Sequence, residues 1–132
     1  MSEHENRQLV EQAYANFKAG DIPTLLQSMS EDITWQLPEV ENVPFAGKRQ
    51  GRGAVGEFFS TLASLQDARS FEPREFIAQS DKVVVLGHYD WQVKANGRTY
   101  ACDFAHVLSV RGGQIVAFQE YTDTAAAAKA FR

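Results

Sequence analysis

Apolar residues recur at helical intervals in the first half of the chain and at alternate positions in the second. Val10, Ala13, Tyr14 and Phe17 form one helical stripe, and Ser2 followed by Glu5 has the spacing of a capping box ahead of it. Gly20 predicts the end of that helix. Asp21 and Pro23 predict a short second helix with Leu25, Leu26 and Met29 turned inward. A short strand follows over 33–37, stopped by Pro38, and then a loop that runs through Pro44 and Gly47 to Gly51. Val55, Phe58, Phe59, Leu62 and Leu65 define the stripe of a third helix.

After Ser70 the period changes from about 3.6 to 2. Strands are predicted over 71–79, weakened by Pro73, and over 83–93, 99–110 and 114–121. Asn96-Gly97 and Gly112-Gly113 supply the turns between the last three. The alanine-rich segment 124–131 predicts a short C-terminal helix. Helices followed by an antiparallel meander specify an α+β domain over 1–132, with one sheet face for the helices to cover.

Composition narrows the function classes. With 132 residues, 44% of them apolar and nine of them phenylalanine, the chain can build a core and keep a pocket. A net charge of −4, without any long basic run, argues against binding to nucleic acid. No stretch approaches the roughly 20 apolar residues of a membrane span, and the polar N-terminus lacks a signal-peptide pattern. A cytoplasmic protein is the expectation. Cys102, the single cysteine, has no disulfide or CxxC partner and reads as a buried small hydrophobe. HExxH, P-loop and metal-spaced His/Cys patterns are absent, so neither metal nor cofactor is expected. Gly51-x-Gly53-x-x-Gly56 matches a dinucleotide fingerprint only formally, because it follows a loop and carries Glu57.

Strand parity gives the candidate chemistry. His88 and Asp90 share a face of 83–93 with Val84 and Leu86; Cys102, Phe104, His106 and Leu108 share a face of the next strand; Val116, Phe118, Glu120 and Thr122 share one of the last. If these faces meet in a cavity, it holds His88, Asp90, His106 and Glu120 within a lining of Tyr14, Phe17, Trp35, Phe58, Phe59, Leu62, Phe104 and Phe118. A carboxylate in such a pocket is desolvated, which makes it a better base near neutral pH. A neighbouring imidazole or carboxyl can hold the second proton. Alternatively, His88 and Asp90 face solvent and pair across the sheet. His106 and Tyr14 could equally be satisfied core residues, and Trp35 could be ordinary core packing.

Residues 14–21 (YANFKAGD), 33–38 (ITWQLP), 51–59 (GRGAVGEFF) and 113–123 (GQIVAFQEYTD), in that order, resemble the NTF2-like superfamily, in particular its SnoaL-like and ketosteroid-isomerase-related branch. The resemblance implies a cone formed by a strongly bent antiparallel or mixed sheet wrapped by about three helices. It also implies an internal apolar pocket and a homodimer joined through the outer sheet face. In the limonene-epoxide-hydrolase-like branch an Arg-x-Asp pair works with a last-strand aspartate. His88-Tyr89-Asp90 and Glu120 fall near those positions, with His for Arg and Glu for Asp. Tyr14 falls at the oxyanion-hole tyrosine of ketosteroid isomerases, but Leu37 stands where their catalytic aspartate precedes a proline. Steroid isomerisation is therefore disfavoured.

Two functions follow. One is a cofactor-independent acid-base enzyme of isomerase, cyclase or hydrolase type, acting on a small lipophilic carbonyl, polyketide-like or epoxide substrate. In it Glu120 and Asp90 exchange protons, His88 orients or supplies charge, and Tyr14 or His106 donates to an oxyanion. The other is a non-catalytic module that binds a small lipophilic ligand or acts through a dimer surface. Phe71, Tyr89 and Trp91 on exposed strand positions would support an assembly surface.

Overall fold

Ser2 opens the first helix, α1 (Glu3–Lys18), in the computed structural model, which describes residues 2–132. Its hydroxyl accepts from the Glu5 amide at 3.1 Å, and the Glu5 carboxylate accepts from the Ser2 amide at 3.2 Å. The helix buries Val10, Ala13 and Tyr14. Asp21 caps α2 (Ile22–Gln27) by accepting from the Thr24 amide. The second helix is shorter than its apolar residues suggested, because Met29 is the first residue of a strand, β1 (Met29–Gln36).

The expected loop before Gly51 contains a three-residue strand, β2 (Lys48–Gln50), paired antiparallel with β1 through Trp35 and Arg49. Helix α3 (Arg52–Leu65) buries Val55, Phe58, Phe59 and Leu62. β3 (Gln66–Gln79) starts directly at its end, five residues before the predicted strand. Two bulges, between Ala68 and Ser70 and between Pro73 and Glu75, break the alternation that would have revealed it. β3 is an edge strand, where Pro73 is tolerated. Then come β4 (Lys82–Val93), β5 (Thr99–Arg111), β6 (Gln114–Thr122) and α4 (Thr124–Ala130). Gly112 and Gly113, both at positive φ, turn β5 into β6.

The strands form one mixed sheet in the order β2-β1-β6-β5-β4-β3. Strands β3 to β6 are an antiparallel meander, while β1 lies parallel to β6 with Trp35 beside Phe118. Helices α1 and α3 pack on the face that holds the aromatic core. On that face Gly87 lets two elements approach. A Cβ there would lie 2.4 Å from the Glu72 carbonyl oxygen and 2.6 Å from Phe104 Cζ. Among the described residues no helix is long and apolar enough to cross a membrane.

Candidate functional site

The inward residues of β4 are Val83, Val85, Tyr89, Trp91 and Val93, the opposite parity from that expected. His88 and Asp90 therefore lie on the outer face. His88 Nδ1 pairs with Asp103 Oδ1 at 2.9 Å, and Asp90 Oδ1 lies 3.9 Å from Arg69 Nη1. The expected cavity cluster loses both, and with them the Arg-x-Asp-like part of the epoxide-hydrolase analogy. The physical reason is burial: the odd-numbered set Val83, Val85, Gly87, Tyr89, Trp91 and Val93 is wholly uncharged. It can face the core without desolvating a charge.

The same parity overturns the aromatic assembly surface. Tyr89 and Trp91 are buried, and Phe71 is half-buried, with its ring packed on Phe17 and Phe104. Among the described residues, the large apolar side chains that remain exposed are Ile77 and Tyr121.

On β5, Tyr100, Cys102, Phe104, His106 and Leu108 face inward, and on β6 Phe118, Glu120 and Thr122 sit opposite Leu108, His106 and Phe104. The cavity they help to enclose has a volume of about 100 Å³. Tyr14, Phe17, Trp35, Phe58, Phe59, Leu62, Phe118, His106 and Glu120 all line it. Phe104 does not. It stacks behind His106, centroid to centroid 4.2 Å, and backs the imidazole instead of touching the cavity. A groove of about 480 Å³ adjoins the cavity, sharing Phe17, Phe59, Leu62, Gln66, Phe71 and Trp91 with it, and is rimmed by Lys18, Asp67 and Ser70.

Within this apolar lining the polar groups form a chain. Tyr14 Oη lies 2.5 Å from His106 Nδ1, and His106 Nε2 lies 2.9 Å from Glu120 Oε1. With Glu120 ionised, Nε2–H donates to the carboxylate and Nδ1 accepts from the Tyr14 hydroxyl. The side chains of His106 and Glu120 are 6% and 12% exposed, so the pair is held largely away from water. Burial and then the Glu120 charge push the Tyr14 hydroxyl well above the usual tyrosine range, which keeps it protonated.

Tyr89 donates to Thr122 Oγ1 at 2.8 Å and approaches Glu120 Oε1 at 3.4 Å, and Thr122 donates onward to the Asp103 carbonyl. Burial raises Tyr89 as well. Glu120 Oε2 has no partner among the described residues. Cys102 is an unactivated thiol, pushed up mainly by burial. Among the described residues no three His, Cys, Asp or Glu side chains come together as a metal site.

Sequence reading missed Tyr89, Gln66 and Tyr100. Tyr89 was recoverable from the uncharged parity of β4. Tyr100 was recoverable as well, from the parity it shares with Cys102, Phe104 and His106; Gln66 was not, since it sits on the unpredicted start of β3.

Comparison with known proteins places this geometry. The chain is similar over its whole length to an NTF2-like protein from Burkholderia xenovorans LB400, with 34% identity, 100% and 99% coverage of the two chains and a TM-score of 0.90. A second NTF2-like protein, from Burkholderia thailandensis E264, is 26% identical with 96% and 97% coverage and a TM-score of 0.88. TerC, a structure co-crystallized with polyporic acid, is 29% identical, with 96% and 98% coverage and a TM-score of 0.85. No curated protein matches. A SnoaL-like domain model matches residues 10–118, which include the cavity wall from Ala13 through Phe118, and the chain therefore belongs to the SnoaL-like family of the NTF2-like superfamily.

Proposed function

We propose that the protein is a cofactor-independent acid-base enzyme of isomerase or cyclase type, acting on a small, flat, lipophilic carbonyl compound. The observation that carries this is the Tyr14–His106–Glu120 chain inside an otherwise apolar cavity. The reading also draws support from TerC, which was co-crystallized with polyporic acid.

The proton inventory of the chain suits such chemistry. Glu120 Oε2, free of protein partners, takes a proton from the carbon next to the substrate carbonyl, and the C–H electron pair moves into the enolate. Glu120 then holds that proton at Oε2, while His106 keeps its own proton on Nε2. The Tyr14 O–H turns from His106 Nδ1 to the enolate oxygen and stabilises its charge. Returning the proton to a different carbon completes an isomerisation; attack of the enolate carbon on a second carbonyl completes a cyclisation. In this reading Glu120 is the base, Tyr14 the oxyanion donor, and His106 the group that couples them. His88 and Asp90 have no part in it.

The test is exchange of carbonyl-adjacent protons for deuterium, followed by proton NMR across a panel of aryl ketones and diketones. Wild-type protein should accelerate exchange, and Glu120→Gln should abolish the acceleration. If no member of the panel exchanges faster with protein than without, the enzyme reading is rejected. A binding module is the second reading, favoured by His106 having both ring nitrogens already bonded within the protein.

We also propose a homodimer joined through the outer sheet face, where Ile77 and Tyr121 are exposed. A sedimentation mass of one chain at micromolar concentration would reject it, and a dimer broken by Tyr121→Glu would support it.

A further inference from the structure

Besides Glu120 Oε2, two polar groups of the cavity residues have no partner among the described residues. Trp35 Nε1 and Gln66 Nε2 are buried without an acceptor, and both residues line the cavity. Trp35 is held in place by its ring stacked on Phe118, with centroids 3.8 Å apart and planes 11° apart, and by Phe58 and Phe59 at its edges. Gln66, only 2% exposed, is held by Tyr100, whose hydroxyl donates to Gln66 Oε1 at 2.7 Å. Burial pushes the Tyr100 hydroxyl up, so it stays protonated and donates. That bond fixes the amide: the oxygen faces Tyr100, and the two N–H bonds are left over. The indole offers one more N–H and no acceptor.

Buried donors of this kind are strongly disfavoured unless something accepts from them. A ligand that fills the cavity beside them brings an acceptor of its own or leaves the donors unpaired. We infer that Trp35 and Gln66 are specificity-determining residues, and that the cavity selects flat aromatic ligands bearing oxygen acceptors at two separated positions over hydrocarbons of the same shape. This deepens the proposed function by naming its substrate class, and it rests on the same cavity, but it does not depend on turnover. The acid-base chain supplies one end of the recognition; Trp35 and Gln66 supply two further fixed points that orient the ring.

Equilibrium binding separates the two claims. The probes are 2,3-dimethyl-1,4-naphthoquinone and 2,3-dimethylnaphthalene, matched in outline and differing in two ring carbonyls, with affinities measured by calorimetry on the full chain. Wild-type protein should prefer the quinone by at least about tenfold, the scale of one buried hydrogen bond. Trp35→Phe and Gln66→Met should each reduce that preference several-fold. In nitrogen-15-labelled wild-type protein, the Trp35 indole N–H and the Gln66 amide N–H signals should move downfield with the quinone and not with the hydrocarbon.

Equal affinity for the two probes, including none for either, overturns the inference, as does a preference that neither variant changes. If a variant does not fold, the wild-type ratio and the wild-type N–H shifts still decide. A quinone preference without any deuterium exchange would reject the enzyme and keep this inference. Exchange without a quinone preference would do the reverse.

Discussion

Two histidine–carboxylate pairs lie on opposite faces of the same sheet, both at 2.9 Å: His88 with Asp103 and His106 with Glu120. Residue type and distance are nearly the same, and surroundings are not. The outer pair is 31% and 87% exposed, the inner pair 6% and 12%. Water screens and competes with the outer pair, leaving it the small contribution of a surface ion pair. In the inner pair a missing partner cannot be replaced by solvent, so each proton has to be accounted for within the Tyr14–His106–Glu120 chain. Contact geometry alone would rank the two sites equally; burial decides which of them can hold and move a proton.

The largest expected effect is on turnover. Glu120→Gln should lower the exchange rate on the order of 10²- to 10⁴-fold, the usual contribution of a positioned acid or base, whereas Asp103→Asn should leave it within about twofold. Comparable losses from both would erase the distinction between the faces.

Alkaline stability comes next. Three of the four tyrosines, Tyr14, Tyr89 and Tyr100, face inward, and burial raises their hydroxyls above the ordinary tyrosine value of about 10. In the unfolded chain they ionise near their ordinary value, so stability is retained below about pH 10 and lost as pH rises beyond it. The loss is about 1.4 kcal/mol per pH unit for each buried tyrosine until the folded-state value is reached. A phenolate absorbance titration at 295 nm, run beside circular dichroism, should show their ionisation coinciding with unfolding. Ionisation of all four while the fold is intact would mean that the inner face is wet.

Packing on the inner face supplies a smaller effect. Gly87→Ala forces a methyl against the Glu72 carbonyl and the Phe104 ring that backs His106. It should cost about 1–3 kcal/mol in urea unfolding, and a neutral outcome would show that the ring is free to move. Smallest is the response to salt. In double-mutant cycles the His88–Asp103 coupling, at most about 1 kcal/mol, should fall toward zero between 0.1 and 1 M NaCl. The His106–Glu120 coupling should persist.

The two pairs also show what could be read without coordinates. Helical stripes placed α1 and α3, and the diglycine turn placed β5 against β6, because these signals are local and repeat. His106 and Glu120 fell on the inward parity because Phe104, Leu108 and Phe118 alternate with them. On β4 both parities carry aliphatic residues, Val84 and Leu86 on one and Val83 and Val85 on the other, so periodicity alone did not choose between them. The choice turned on His88 and Asp90, read as functional when the uncharged face was the one that could be buried. The start of β3 was hidden by its bulges, and Gln66 with it. No local signal ties Gln66 to Tyr100, since their bond joins residues 34 positions apart.

The parallel pairing of β1 with β6, which sets Trp35 on Phe118, bears on how the molecule comes into being. The two strands come from opposite ends of the chain, so their contact closes a loop of most of its length, and contacts of that span form slowly. A chain still emerging from the ribosome can complete α1 and the β3–β4 hairpin, but it has no Glu120 and no final wall until the last strand is released. The binding chamber therefore closes only once β6 has been made, and ligand cannot stabilise a chain that still lacks it.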